Sequence, residues 1–85
     1  MPFFVYIIYS AKLDRFYVGH TENVETRLGQ HNTRFSTFTS KASDWILVYT
    51  EEYPERKSAH LRELEIKKKK SRKYIEYLTS LKGKS

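Results

Sequence analysis

The stretch Phe3-Phe4-Val5-Tyr6-Ile7-Ile8-Tyr9-Ser10 decides how the chain is read. It is dense in aromatic and β-branched residues, the composition of a strand. Its two alternating sets, Phe3/Val5/Ile7/Tyr9 and Phe4/Tyr6/Ile8, are both apolar. Successive side chains of a strand point to opposite faces, so this strand must be covered on both sides and belongs in the middle of a sheet. Its centre, Val5-Tyr6-Ile7, is answered after a short polar break by Tyr17-Val18-Gly19. Residues 11–14 read as a turn and residues 15–19 as a second strand. So short a connection makes the pair antiparallel.

Outward from this hairpin, Thr21-Glu22-Asn23 offers a helix start. Asn23 is a good N-cap, and Glu25 complements the positive end of the helix dipole. Val24 and Leu28 then share a face, and the helix is expected to end near His31 and Asn32. Residues 33–43 are polar around Phe35 and Phe38 and read as a loop. Residues 44–51 contain Trp45-Ile46-Leu47-Val48-Tyr49 and form the third predicted strand. Pro54 interrupts the chain, and Glu55 or Ser58 opens a helix running to about Lys70. Ser71 caps a last helix, in which Tyr74, Tyr77, Leu78 and Leu81 fall at helical spacing. The order β-β-α-β-α-α predicts an α+β fold, a three-stranded antiparallel sheet flanked by helices. One domain is expected over residues 1–82, with a frayed tail at 83–85.

Eighty-five residues leave no room for a second core. Aromatic residues make up 15% of the chain, so burial leans on Tyr, Phe and the single Trp45. The lack of cysteine excludes a disulfide scaffold and a thiolate zinc site, and it fits a reducing, cytoplasmic setting. No apolar run approaches the roughly 20 residues of a membrane span. Residues 3–9 lack the basic flank and small-residue cleavage site of a signal peptide. The net charge of +6 is unevenly placed. Residues 1–61 balance seven Lys/Arg against seven Asp/Glu, whereas residues 62–85 carry nine against three. Such clustering favours a polyanionic partner, and a solvated helix face is the plainer alternative.

Several residues have the chemistry for a site. On the helix after Pro54, Ala59, Glu63 and Ile66 share one stripe, with Leu61 and Leu64 well away from it. A carboxylate among apolar neighbours is expected to be partly desolvated and to need a partner. That partner is either a neighbouring base (Arg27, Arg62 or Lys67) or a hard divalent cation such as Mg²⁺, which needs only one or two protein carboxylates. Arg27 and His31, four residues apart, project from one helix face. Arginine matches a phosphate with two parallel hydrogen bonds, and histidine can move a proton near neutral pH. Tyr6 and Tyr17 read as core tyrosines or as site hydroxyls. Gly19 allows close approach of a ligand or serves a turn. Arg34 and Lys41, among hydroxyl-bearing residues, suit contacts to sugar and phosphate. The run Lys67, Lys68, Lys69, Lys70, Arg72 and Lys73 suits a nucleic-acid backbone. His20, His31 and His60 are too scattered along the chain to propose a zinc site.

Together these motifs resemble the GIY-YIG nuclease superfamily, and more narrowly its small single-domain bacterial members related to the N-terminal domain of the excision-repair nuclease UvrC. Val5-Tyr6-Ile7 resembles the first triplet, with Val5 in place of the name-giving glycine, and Tyr17-Val18-Gly19 the second. Arg27-Leu28 with His31-Asn32 resembles the helix motif, and Trp45 to Tyr49 the third strand. Ala59 with Glu63, Glu65, Ile66 and Lys67 resembles the acidic helix motif. The resemblance covers about residues 3–78. It implies metal-dependent hydrolysis of a phosphodiester, with one ion, Mg²⁺ or Mn²⁺, on Glu63. Tyr6 and Tyr17 would flank the attacking water, one of them helping to take its proton, Arg27 would stabilise charge on the scissile phosphate, and His31 would assist proton transfer or bind phosphate. The implied partner is nucleic acid, most readily DNA in repair or recombination, with no membrane role. Nothing in the 85 residues looks like a separate specificity domain, so weak intrinsic selectivity or a partner protein that supplies it is expected. Many members carry an Asn about a dozen residues after the glutamate, where this chain has Tyr74-Ile75-Glu76. That departure motivates two further readings, a non-catalytic nucleic-acid-binding module of the same fold and a protein-interaction domain.

Overall fold

The computed structural model describes residues 2–32 and 42–83, with side chains as far as residue 80. Its elements are β1 (Phe3–Ser10), β2 (Arg15–Thr21), α1 (Val24–Asn32), β3 (Ile46–Tyr53), α2 (Arg56–Lys69) and α3 (Arg72–Gly83). The sheet order is β2-β1-β3, and both pairings are antiparallel. β1 is therefore central, as its two apolar faces demanded. Val5, Tyr6, Ile7 and Ile8 are almost wholly buried.

Each face of β1 carries its own core. Val5, Ile7 and Val18 meet Ala59, Ile66 and Leu78 from α2 and α3. Tyr6 and Ile8 meet Ala42 and Trp45, with Leu13, Tyr17, Val24 and Leu28 packed around them. The predicted stripe of α2 is the buried one: Ala59, Glu63 and Ile66 face inward, while Leu61 and Leu64 are exposed. Burying Ile66 alone contributes on the order of 2 kcal/mol to docking that helix.

The caps follow local chemistry. The Asn23 carboxamide accepts the Thr26 N–H at 3.0 Å, and the Ser71 hydroxyl accepts the Tyr74 N–H at 3.2 Å. α2 opens after Glu55, whose side chain makes no capping bond, and closes at Lys70 in the left-handed conformation. The β1–β2 turn is tied to the segment before β3: Ser10 Oγ donates to Asp44 at 2.6 Å, and the Lys12 N–H donates to the same carboxylate at 2.9 Å.

Three boundaries differ from the sequence reading. β2 runs on to Thr21, because pairing with β1 continues as far as Phe4. β3 starts at Ile46 and ends at Tyr53, two residues later than expected. Trp45 cannot join the ladder: the Asn32 carboxamide accepts its N–H at 2.7 Å and donates to its carbonyl at 2.9 Å. A register shift between Ile7 and Ile8 takes the pairing from Tyr49 to Leu47 and passes over Val48. In α3, Tyr77 is 59% exposed, and Tyr74, Ile75 and Leu78 form the packed face instead. Among the described residues no helix is long and apolar enough to cross a membrane.

Candidate active site

β2 is an edge strand, and the site straddles its open side. On the α1 side, Tyr6 Oη and His31 Nε2 lie 2.8 Å apart, both buried. The half-buried Tyr17 ring closes the group, its centroid 4.9 Å from that of His31 and 6.3 Å from that of Tyr6. α1 supplies His31 from its last turn, and Arg27 stands one turn earlier, exposed, with Nη1 donating to Gln30 at 3.1 Å.

On the α2 side, Glu63 is only 8% exposed and meets two bases. The His20 imidazole contacts Oε1 at 2.5 Å, and Lys67 Nζ donates to Oε2 at 2.5 Å. Lys67 Nζ also stands 5.6 Å from the centroid of the Tyr17 ring, which links the two halves. Of the bases weighed for Glu63, Lys67 is the one that pairs with it. Arg62 instead holds Glu51 and Glu65.

The charges on these groups follow from their surroundings. Burial pushes the Tyr6 phenol up to about 12; the Arg27 guanidinium opposes the shift, while Tyr17 and Glu63 add to it. Burial, with the Arg27 charge behind it, holds His31 down to about 4, so its imidazole is neutral at pH 7. Burial raises the Glu63 carboxyl, but the hydrogen bonds from His20 and Lys67 outweigh it and leave Glu63 below the usual carboxylate range. Of the five residues expected to converge, Tyr6, Tyr17 and His31 cluster on the α1 side with Arg27 one turn away, while Glu63 lies on the α2 side with His20 and Lys67 and acts on Tyr6 through its charge.

Other expectations fare differently. Gly19 leaves room for Tyr6: it pairs with Tyr6 across the ladder, and a Cβ there would lie 2.6 Å from the Tyr6 hydroxyl. The basic run is not one free stripe. Lys67 is engaged at the site, Lys69 lies 4.9 Å from the Tyr74 ring centroid, and Arg72 donates to Asp14 and Glu76. Lys68, Lys70 and Lys73 are exposed. Arg34 and Lys41 lie outside the described residues.

The histidines require a correction. His20 and His60, far apart in sequence, each bring a ring nitrogen within 4.8 Å of the other and of a Glu63 carboxylate oxygen, whereas His31 stays with Tyr6. Sequence reasoning also passed over Arg56. It lines a cleft of about 350 Å³ with His20, Thr21, Glu22 and Arg27. Strand alternation already puts His20 on the face opposite Tyr17, and His60 and Glu63 are three apart on one helix. What the sequence lacks is that α2 crosses β2 at that point.

A larger groove of about 610 Å³ opens between β2, α2 and α3. Phe16, Tyr17 and Ile66 form apolar wall, and Arg15, Lys67 and Lys70 are among its basic lining residues.

This sheet, with tyrosines on adjacent strands, an Arg–His helix and a buried helical glutamate at one edge, has the architecture of a GIY-YIG domain. The family described as the GIY-YIG catalytic domain matches residues 2–75. A UPF0213 protein of Staphylococcus haemolyticus is 37% identical over 65 residues, spanning 75% of this chain and 78% of that protein. The solution NMR structure of a UPF0213 protein from Bacillus halodurans superposes with a TM-score of 0.60 at 32% identity, covering 98% of this chain and 87% of the other. The chain belongs to the GIY-YIG family, a nuclease family, and its relatives among the UPF0213 proteins are similarly small.

Proposed function

We propose that the protein is a metal-dependent endonuclease that hydrolyses phosphodiester bonds in DNA, in repair or recombination. The observation that carries this reading is the surroundings of Tyr6. Its hydroxyl lies 2.8 Å from His31 Nε2, and Arg27, Tyr17 and Glu63 all act on its ionisation.

Tyr6, held up at about 12, keeps its proton at neutral pH. His31, held down at about 4, is neutral and has a ring nitrogen able to accept one. In the tautomer with hydrogen on Nδ1, Tyr6 donates to His31 Nε2. As Tyr6 Oη takes a proton from an attacking water, it passes its own to His31. Tyr17, on the adjacent strand, flanks the same water. Arg27, exposed at the cleft with Arg56, offers charge to the scissile phosphate. Glu63 is suited to hold the ion: it is ionised and mostly buried, and a hard divalent ion needs only one or two protein carboxylates. A divalent ion bound there supplies charge stabilisation to the phosphate and the leaving oxygen. The basic groove beside Tyr17 offers a sequence-independent path for the strand.

Cleavage of single-stranded, duplex and branched DNA with Mg²⁺ or Mn²⁺ tests the reading. Glu63→Ala and Tyr17→Phe, each folded by circular dichroism, should lower the rate by roughly 10²-fold or more. Undiminished cleavage in Glu63→Ala would overturn the assigned site. A second reading, a module that binds DNA without cutting it, is favoured by one observation: both Glu63 oxygens already face bases within the chain. Salt-sensitive binding with no cleavage under any metal would decide for it.

A further inference from the structure

We infer that His20, His60 and Glu63 form one binding site for a borderline transition-metal ion, Zn²⁺ or a close analogue, in which two imidazoles join the carboxylate. The inference refines the proposed ion site at Glu63 and rests on that assignment, but ion binding is measurable without turnover.

The placement comes from two regular elements. His20 lies on β2, one residue beyond Gly19, and alternation turns it toward α2. His60 and Glu63 are three residues apart on α2, so they share a face. One donor atom from each residue lies within 4.8 Å of the other two. The two imidazoles meet edge-on with centroids 5.0 Å apart. The accessibility gradient also suits a ligand set: Glu63 is buried, His20 is intermediate, and His60 is exposed, leaving a side open to solvent.

The donor set decides the class of ion. Mg²⁺ prefers oxygen and retains water, so imidazoles add little for it. Two imidazoles and a carboxylate suit Zn²⁺ and neighbouring transition metals. Bond lengths near 2.0–2.2 Å place tetrahedral ligand atoms roughly 3.3 Å apart. The His20–Glu63 contact, at 2.5 Å, has to open slightly, and the wider pairs within the 4.8 Å cluster have to close. His60 is exposed, so its side chain has room to rotate inward. Lys67 meets Oε2, the other carboxylate oxygen, at 2.5 Å. It leaves Oε1 as the ligand and fixes the carboxylate plane from outside the ligand set. Three ligands with an open fourth position is the pattern of a reactive zinc centre and not of a closed structural one.

The test uses the full chain and the metal alone. Zn²⁺ is titrated by calorimetry, Co²⁺ by visible absorption, and Zn²⁺ again while the histidine ring resonances are followed by NMR. The expected result is one Zn²⁺ per chain, with His20 and His60 resonances shifting and those of His31 staying in place. His20→Ala and His60→Ala should each weaken Zn²⁺ at least tenfold. Zn²⁺ affinity unchanged in both variants, or ring shifts absent from His20 and His60 in the unaltered protein, overturns the inference. If Mg²⁺-supported cleavage survives that outcome, the nuclease reading stands without this site. If Zn²⁺ binds as expected and no metal supports cleavage, the site stands and the nuclease reading falls.

Discussion

Gly19→Ala tests whether the glycine of the second triplet exists for the first tyrosine. The added methyl would lie 2.6 Å from Tyr6 Oη, 2.7 Å from Cζ and 3.0 Å from Cε1. Ordinary carbon contacts begin near 3.4 Å, so the ring must withdraw by roughly 0.8 Å. Tyr6 has little freedom to do so. It is 1% exposed, packed by Ile8 and Trp45, and held at 2.8 Å from His31. Overpacking of this kind costs about 1–3 kcal/mol, and a weakened Tyr6–His31 hydrogen bond adds about 0.5–1.5 kcal/mol. Replacing a strand glycine offsets about 0.5–1 kcal/mol of that through the unfolded chain. The net expectation is a loss of roughly 0.5–4 kcal/mol, read from urea unfolding followed by Trp45 fluorescence. A companion variant isolates the cause. Tyr6→Phe removes the atom nearest the new methyl, so Gly19→Ala should cost about 0.5–1 kcal/mol less in that background. If Gly19→Ala changes stability by under about 0.5 kcal/mol, or adds to Tyr6→Phe without coupling, the close packing is not what glycine serves here.

Two further outcomes follow from the same structure. His31 is held at about 4, against an ordinary 6.5, so below pH 6.5 the unfolded chain takes up a proton that the folded site refuses. Its contribution therefore makes stability fall as pH drops from about 6.5 to about 4, by up to roughly 3 kcal/mol, and levels off below that. His31→Asn should flatten that part of the profile, leaving the acid losses of Glu51 and Glu63, and identical slopes in urea titrations of the two proteins would refute the argument. Lys70 closes α2 at φ 48 and ψ 35 without being glycine. Lys70→Gly should raise stability by about 0.5–1 kcal/mol in thermal melts, and a fall would mean that its side chain contributes more than the backbone strain removes.

Much of the fold could be read from periodicity because the relevant forces are local. β1 shows its central position in two apolar faces, and α2 shows its buried stripe in Ala59, Glu63 and Ile66. Where a distant side chain takes over the backbone, periodicity fails. Trp45 looks like strand, yet Asn32 occupies both of its backbone groups and delays the ladder. Tyr77 fits the apolar spacing of α3, yet the helix turns Ile75 toward the core in its place. The site divides in the same way. Arg27 and His31 are adjacent on one helix and announce themselves, as does Glu63. His20 meets His60 only because α2 lies across β2. The lysine run looks uniform in sequence but divides among Glu63, the Tyr74 ring and solvent.

The division of the site across an edge strand also bears on its chemistry. Tyr6 lies in the central strand, sealed by packing on one side and by His31 above. The hydrogen bond between them is held in a rigid setting, where displacement of either partner is opposed by the core. Glu63 sits on the other side under different terms. A nearly buried carboxylate without a partner would be strongly unfavourable, so His20 and Lys67 keep it ionised in the metal-free chain. An ion entering there must displace the His20 contact or recruit it. Recruitment is favoured because the same imidazole then changes from hydrogen-bond partner to ligand without leaving its place on β2. The Lys67 ammonium, which cannot become a ligand while charged, works against the ion by its charge and for it by orienting the carboxylate. Lys67→Gln separates these effects. If repulsion dominates, Zn²⁺ binds more tightly to the variant than to the parent chain, and if orientation dominates, it binds more weakly.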